Sequence, residues 1–337
     1  MRVLRYGGIG GVTRAATLGL LVMGCFVAQA AAQGMTLVGP GSLSATENAV
    51  FLADGRYFVA GGSGVHEVKR QPDSSPGCTV DPLGGLTLCM VVPPELDGDP
   101  CLYTGMTTDG ERLYAACTVV QDSLLGLLSS PERAALLRIE PGEGGNHLVE
   151  VAELQEPAWY NGMAILDDGT LLASRSQSGW LVRLPGAAID RFAGMDAEVF
   201  EPTFEPWLES SSAYLAPNGV QVQSGQVYFS GGQNLFRIPV QVDGSAGQPE
   251  LLYQAPLHKV LDDFAVDGDM LVVAEIALLN GLGRNTVSLV ATDGSGVRQK
   301  VSTGSIQLSS IAVDPGTLGA AGAWIATSYY QGGVYLY

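Results

Sequence analysis

One sequence pattern recurs six times and limits what this chain can fold into. Each copy begins with a polar residue, often followed by glycine, and continues through an apolar strand, a turn and a second apolar strand. The copies begin at residues 47, 104, 161, 218, 262 and 309, at intervals of 57, 57, 57, 44 and 47 residues. The mean interval of about 52 residues is close to the length of a four-stranded propeller blade.

The turn residues define the same unit. Hairpin turns are predicted where aspartate or serine precedes glycine. These dipeptides occur at Asp54-Gly55, Asp109-Gly110, Asp168-Gly169, Ser224-Gly225 and Asp267-Gly268. The first two strands of each unit are apolar, as expected of strands covered on both faces, whereas later strands alternate more. The sequence therefore predicts an all-β fold, specifically a six-bladed β-propeller spanning residues 34–337.

The sixth unit contains only three strands, the last of which ends at Tyr337. We expect the N-terminal segment 35–38 to supply the fourth strand. Closure of the ring in this way removes exposed sheet edges, which favours it physically.

Residues 1–33 have the composition of an export signal. Arg2, Arg5 and Arg14 give a basic start, residues 18–27 are apolar, and 28–32 are mostly alanine. An alternative interpretation takes Cys25 as the lipidated N-terminus of a lipoprotein. Either way the sequence predicts a secreted or periplasmic protein.

Charge and hydropathy exclude several partners. The chain has 17 Lys+Arg against 34 Asp+Glu, for a net charge of −17. Such a balance repels nucleic-acid phosphates and anionic membranes, so no nucleic-acid partner is expected. No segment after the leader approaches the roughly 18 apolar residues of a transmembrane span. A small-molecule substrate is the expected partner, and the sequence leaves a protein partner open.

Four cysteines follow the leader, and an even number in an oxidising compartment predicts two disulfides. Turns at Leu83-Gly84 and Asp109-Gly110 favour the pairs Cys78–Cys89 and Cys101–Cys117 across two hairpins.

The residues that begin the copies carry the chemical signal. In a propeller, the innermost strands all begin at one mouth of the central channel, so these side chains converge there. Four of them offer oxygen ligands, with Asp263 adjacent to the last: Glu47, Asn161, Asn218 and Asp262. Carboxylates and carboxamides suit a hard divalent cation such as Ca²⁺. A cation also explains how several acidic groups can share one site.

At these positions the chain resembles the gluconolactonase/regucalcin (senescence marker protein-like) family, which is related to paraoxonases and strictosidine synthase-like propellers. The resemblance is carried by Glu47, Asn161-Gly162, and the segments 217–220 and 262–267. It implies a six-bladed propeller with Ca²⁺ or a similar ion held by Glu47, Asn161, Asn218 and Asp262. Asp263 stands where paraoxonases carry a further ligand. The resemblance also implies a hydrolase of lactones or esters, with Asp262 as catalytic nucleophile or base.

The chain departs from that family in its second unit. Thr104 stands where a paraoxonase has histidine and a gluconolactonase an acidic residue, which argues against gluconolactone as the substrate. We predict that Tyr103, Trp159 and Tyr160 lie beside the mouth and favour a more apolar ligand. His258 lies four residues before Asp262 and completes the predicted substrate-binding set.

Three functions are compatible with this pattern. The first is an exported calcium-dependent hydrolase of a lactone or ester. The second is a non-enzymatic exported propeller that binds a partner, with a purely structural ion. The third is an isomerase or lyase that uses the same ion. Fold alone does not choose between them.

Overall fold

Strand follows strand along the chain in the computed structural model, which describes residues 2–6, 36–37, 43, 45–70, 72–80, 86–120, 130–142, 146–192, 202–212, 214–278 and 284–337. Two short strands come first, β1 (Arg2–Tyr6) and β2 (Thr36–Leu37). The apolar part of the predicted leader, Cys25 and the Leu83-Gly84 turn lie outside the described residues.

The strands of the first two blades are β3 (Thr46–Phe51), β4 (Tyr57–Gly61), β5 (Gly64–Lys69), β6 (Cys78–Val80), β7 (Thr87–Val92), β8 (Glu95–Leu96), β9 (Asp99–Thr108), β10 (Leu113–Val119), β11 (Arg133–Glu140) and β12 (His147–Glu153). Blades three and four contain β13 (Tyr160–Ile165), β14 (Leu171–Arg175), β15 (Trp180–Leu184), α1 (Gly186–Phe192), β16 (Glu205–Leu208), β17 (Pro217–Gln223), β18 (Gln226–Gly231), β19 (Asn234–Pro239) and β20 (Glu250–Gln254). The last two blades contain β21 (Lys259–Asp267), β22 (Met270–Ala277), β23 (Asn285–Ala291), β24 (Val297–Gly304), β25 (Ser310–Val313), β26 (Trp324–Thr327) and β27 (Val334–Leu336).

These strands form six antiparallel sheets, one for each predicted blade. The innermost long strands are β3, β9, β13, β17, β21 and β25. The chain runs outward from each, except that β6 lies outside β7 in the first sheet and the short β8 pairs with the start of β9. In the sixth sheet β2 pairs with β27, so that Thr36 lies opposite Leu336 and Leu37 opposite Tyr335. The six-bladed propeller and its closure by the N-terminal strand are therefore confirmed.

The core lies between neighbouring blades because successive side chains of a strand point to opposite faces of its sheet. On β4, Phe58 packs with the second blade, whereas Tyr57 and Val59 pack with the sixth. Each of the six apolar clusters joins two adjacent blades in this way. Strands buried on both faces need apolar residues at every position, which explains the continuous runs in the sequence.

The two ends of the ring differ in the connections that they carry. We call the end at which the innermost strands begin the mouth face, and the opposite end, with the first hairpin turn of each blade, the turn face. All five predicted turns lie on the turn face, and their glycines have positive φ, for example 86° at Gly55 and 82° at Gly169. Asp54 Oδ1 accepts a hydrogen bond from the backbone N–H of Arg56 at 3.0 Å. These aspartates therefore act as turn residues, as predicted.

The predicted leader contributes one element to the described fold. Strand β1 pairs with β12 at the outer edge of the second blade, with Arg2 opposite Val151. An outermost blade strand has an unpaired edge that an extended segment can join. The second blade nevertheless has four long strands of its own, so its sheet does not depend on β1. Within the described ranges, no helix is long and apolar enough to cross a membrane.

Both predicted disulfides are present. Cys78 pairs with Cys89 across β6 and β7, and Cys101 pairs with Cys117 across β9 and β10. The second pair is buried in the cluster between the first and second blades. Disulfides persist in oxidising compartments, so this pairing is consistent with a non-cytoplasmic protein.

Candidate functional site

A β-bulge interrupts the innermost strand in five of the blades, within the first six residues of the strand. The register shifts between Thr46 and Asn48, and at the equivalent points of the next four innermost strands. The residues left without a regular partner include the predicted set: Glu47, Thr104, Asn161, Asn218, Asp262 and Asp263. A bulge bends the strand and redirects a side chain that regular pairing would aim between the blades. The repeat therefore encodes a ring of bulges as well as a ring of strands.

Glycines beside these bulges let neighbouring strands approach each other closely. A Cβ atom on Gly162 would overlap the backbone carbonyl oxygen of Asn218 in the next blade. A Cβ on Gly105 would likewise overlap the carbonyl of Asn161, and one on Gly219 would overlap Asp263. The Asn-Gly pairs, which resemble turn dipeptides in the sequence, are thus packing elements of the channel wall.

We expect Gly162→Ala to destabilise the protein by about 3 kcal/mol, because two backbones must move apart to admit the methyl group. Gly225→Ala is the matched control. Its φ of 70° is strained for alanine, whereas that of Gly162 is not, but apart from its chain neighbours Gly225 has no atom within 4 Å of the added Cβ, so about 1 kcal/mol is expected. Urea unfolding of both variants measures the difference. Equal losses in the free energy of unfolding would show that the close approach of neighbouring blades does not contribute to stability.

Two amide–carboxylate pairs form the centre of the mouth. Asn218 Nδ2 donates to Asp262 Oδ1 at 2.6 Å, and Asn161 Nδ2 lies 3.5 Å from Glu47 Oε1. The side chains are at most 8% exposed except that of Asn218, which is half-buried. Asn218 Oδ1 is itself a buried acceptor, and no described residue donates a hydrogen bond to it. Each amide therefore orients a carboxylate with its nitrogen, and that of Asn218 leaves an oxygen for a ligand.

Asp263 has a different environment from its neighbour. Its Oδ1 accepts from the backbone N–H of Phe264 at 2.8 Å, and its Oδ2 from Ser310 Oγ at 2.7 Å. It also lines a cavity of about 350 Å³ that continues along the channel towards the turn face, between otherwise mostly apolar walls. Among the described residues, the oxygens of Glu47, Asp262 and Asp263 do not all lie within 4.8 Å of one another. Because both oxygens of Asp263 already accept hydrogen bonds, we expect it to support the site, and its role as a further ligand stays a prediction.

The mouth carboxyl groups are costly to ionise without a cation. Burial raises the pKa of Glu47 to about 8, against the opposing hydrogen bond from Asn161, and the charge of Asp263 raises it further. Burial also raises the pKa of Asp262 well above its usual range, and the charges of Glu47 and Asp263 act in the same direction. Burial raises the pKa of Asp263 to about 6. Desolvation and like charge both favour the neutral acids.

The pH dependence of stability follows from these directions. In metal-free solution we expect the Tm to fall as the pH rises from about 5 to about 8. The folded-state pKa values exceed those of the unfolded chain, so the stability they contribute is present at low pH and is lost as the groups ionise. Glu47→Gln should flatten this dependence. Calorimetry across the pH range tests both points, and a Tm that rises through this window would contradict the pKa assignments.

Four of the predicted substrate-binding residues are buried. Tyr103 is 0% exposed and its hydroxyl donates to the carbonyl of Pro93, while Thr104 Oγ1 donates to the carbonyl of Tyr160 at 2.8 Å. Trp159 and Tyr160 are also buried. Tyr103 and Tyr160 pack in apolar clusters between blades, and the Thr104 hydroxyl links the second blade to the third, so contact of these residues with a substrate stays a prediction. His258 is half-buried on the mouth face, where its carbonyl accepts from Leu278 N–H at 2.9 Å.

Two mouth residues escape sequence analysis, Tyr329 and Tyr330 in the loop between β26 and β27. Their rings contact edge to face, with centroids 5.2 Å apart. Partial desolvation raises the pKa of Tyr330, and the charges of Asp262 and Glu47 raise it further, so its phenol faces the acidic centre. The loop is not part of the repeated phase that marks the other site residues, and no sequence signal identified it.

Fold and site together define a six-bladed β-propeller whose channel mouth combines buried carboxylates with carboxamides. Among solved structures, the chain is similar to a glucose dehydrogenase with a TM-score of 0.55 and 13% identity, covering 90% of this chain and 98% of that chain. An oxidoreductase of the glucose dehydrogenase type from Thermus thermophilus gives a TM-score of 0.53 and 16% identity at the same coverage. A gluconolactonase from Xanthomonas campestris gives 0.45 and 15%, covering 68% of each chain.

No protein-family model and no curated protein matches the chain. The two higher TM-scores confirm the propeller fold. The structural neighbours also include gluconolactonase, the family that the sequence resembles.

Proposed function

We propose that this protein is an exported, cation-dependent hydrolase of a lactone or ester, with its site at the channel mouth. The observation that carries the proposal is the paired arrangement of Asn218 with Asp262 and of Asn161 with Glu47. Carboxylates must be ionised to bind a cation. Together with neighbouring amide oxygens, they form the set of ligands that a hard divalent cation such as Ca²⁺ prefers. The residues present therefore fit such an ion.

The Oδ1 of Asn218, which has no hydrogen-bond partner among the described residues, supports that fit by its position beside Asp262. Leaving a buried acceptor unsatisfied costs about 1–3 kcal/mol. The ion would be held by Glu47, Asn161, Asn218 and Asp262. Asp263, which accepts a hydrogen bond from Ser310, would support these ligands. When bound, the cation supplies positive charge that polarises a substrate carbonyl and stabilises the developing oxyanion.

Asp262 is the group that we assign to proton transfer. Asn218 holds its Oδ1, which leaves Oδ2 for a proton. In the proposed hydrolysis, Asp262 accepts a proton from water as the water oxygen bonds to the carbonyl carbon. The acyl C–O bond then breaks, and the leaving alkoxide takes up that proton.

A hydrolysis screen with lactones and aryl esters, in Ca²⁺ and in excess chelator, tests the proposal. We expect turnover with Ca²⁺ and its loss with chelator, restored when Ca²⁺ is returned. Calcium should also reverse the fall in Tm at pH 8, because an ion that binds only to the folded state stabilises that state. A rise in Tm with no turnover of any substrate would favour the alternative function, a partner-binding propeller in which the ion only joins the blades.

The proposed hydrolase acts outside the cytoplasm. The basic and apolar pattern of residues 1–33 supports a cleaved leader, and the two disulfides support an oxidising compartment, secreted or periplasmic. Mass spectrometry of the mature N-terminus tests this directly. A chain that begins near Gly34 supports the leader, lipid on Cys25 supports the lipoprotein form, and an intact Met1 in the exported fraction contradicts both.

A further inference from the structure

Large apolar side chains are exposed around one half of the mouth face. Leu215, Leu257, Leu278 and Tyr330 are 66%, 88%, 56% and 66% exposed, respectively. We call these four residues the apolar rim. Single exposed apolar side chains are ordinary on a protein surface, but several around one opening indicate a binding surface.

The topology places all four residues at the same end of the ring. Leu215 and Leu257 lie in the connections that lead into the innermost strands β17 and β21, three and five residues before Asn218 and Asp262. Leu278 follows β22, and its N–H donates to the carbonyl of His258 beside Leu257, at 2.9 Å. Tyr330 lies in the loop after β26, within range of the mouth carboxylates. The apolar rim therefore spans the fourth to sixth blades.

The turn face carries fewer exposed leucines. Its first hairpin turns carry aspartates whose carboxylates accept backbone hydrogen bonds, such as Asp54, Asp109 and Asp168. In the described part of the chain, the large apolar residues exposed at this end are Val242, Val297 and Tyr337, and Val80 and Leu251 are exposed on outermost blade strands. Three of the four exposed leucines therefore lie on the face that holds the proposed site.

The apolar rim adjoins the acidic centre, because Leu215 and Leu257 lie just before Asn218 and Asp262 in the chain. A molecule with its carbonyl beside Asp262 can therefore place the rest of its length against these side chains. A polyhydroxylated sugar lactone gains little from contact with leucine side chains, whereas an aliphatic chain loses contact with water there. We propose that the apolar rim binds the alkyl or aryl portion of the substrate, so that the substrate class is lipophilic lactones and esters. This inference rests on the proposed hydrolase function.

The test is a chain-length series of γ-lactones from γ-hexalactone to γ-dodecalactone, below their aggregation limits, with glucono-δ-lactone as the polar comparison. We expect kcat/KM to rise roughly twofold per methylene, below the roughly fourfold that corresponds to full burial. Leu257→Gln and Leu215→Gln should reduce this slope. Both side chains are largely exposed, so the variants should fold. Val242→Gln, on the turn face, is the matched control and should leave the slope unchanged.

A binding measurement separates failure of this inference from failure of the proposed function. Alkyl γ-lactams keep the ring and chain but resist hydrolysis, and calorimetry gives their Kd. Affinity that grows with chain length and is lost in Leu257→Gln supports the rim even if no substrate is turned over. Turnover with a kcat/KM that does not depend on chain length, or preference for glucono-δ-lactone, overturns the rim and leaves the hydrolase standing. Chain-length-independent lactam binding without turnover overturns the rim as well.

Discussion

Asp262→Asn should lower kcat by about 10²–10⁴-fold while raising the stability of the metal-free protein. The loss of activity follows from removal of the proposed general base, whose contribution is typically of that size. The gain in stability follows from removal of a buried charge that repels Glu47 and Asp263. Asparagine still offers an oxygen to Asn218 Nδ2, so the local geometry is kept. Hydrolysis rates and urea unfolding in chelator measure the two effects on one sample.

Asp168→Asn is the matched control for this change. Asp168 lies in the hairpin turn between β13 and β14, where its Oδ1 accepts from Thr170 N–H at 2.9 Å. Asparagine makes the same turn contact, so neither activity nor stability should change by much. Unaltered hydrolysis in Asp262→Asn would reject the base role. A variant that loses only the stabilisation conferred by Ca²⁺ would favour the structural ion.

Glu275→Gln should destabilise the protein by about 3–5 kcal/mol, the largest effect on stability that we expect from a single side chain. Glu275 on β22 is fully buried, with Lys259 Nζ at 2.7 Å and Lys300 Nζ at 3.0 Å. Tyr253 and Thr286 hydroxyls also donate to it, at 2.6 and 2.8 Å. Glutamine removes the charge that balances the buried Lys259 and replaces one acceptor with a donor. Equilibrium unfolding in urea measures the loss.

The exposed pair between Arg237 and Glu250 provides the control. Glu250→Gln should change the free energy of unfolding by less than about 1 kcal/mol, because Glu250 is 56% exposed. Burial of Glu275 acts to raise its pKa, but the hydrogen bonds from Lys259, Ser288, Tyr253 and Thr286 outweigh it and lower the pKa to about 2. Its contribution is therefore present above about pH 4.5 and is lost as the pH falls towards 2. Equal losses in the two variants would contradict the importance of burial.

The sequence predicted the parts of this fold that repeat. The hairpin turns favour aspartate or serine before glycine, and strands covered on both faces favour continuous apolar residues, so every blade has the same local sequence pattern. Equivalent positions in this repeated pattern identified Glu47, Asn161, Asn218 and Asp262 as neighbours, although up to 215 residues separate them. Closure by Thr36–Leu37 followed from the missing fourth strand of the sixth blade.

The sequence did not predict how the mouth is shaped. Register shifts depend on pairing with the neighbouring strand, so the bulge at Asn161-Gly162 was indistinguishable from a turn dipeptide. The direction in which the Tyr103 and Tyr160 side chains point depends on the same strand register. A register shift of one residue would move a side chain from the core between the blades to the channel. Tyr330 reaches the mouth through a loop with no periodic pattern. These features are set by tertiary contacts rather than by local sequence.

The pairing of Thr36 with Leu336 also fixes an order of events during biosynthesis. The strand that completes the last blade leaves the ribosome about 300 residues before its partner strand β27. Contacts between residues about 300 positions apart form late, because the loop between them must first be ordered. A nascent chain can build the early blades in sequence, but the ring remains open until β27 has been made. A chain that crosses a membrane while being made would thus close its ring only on the far side.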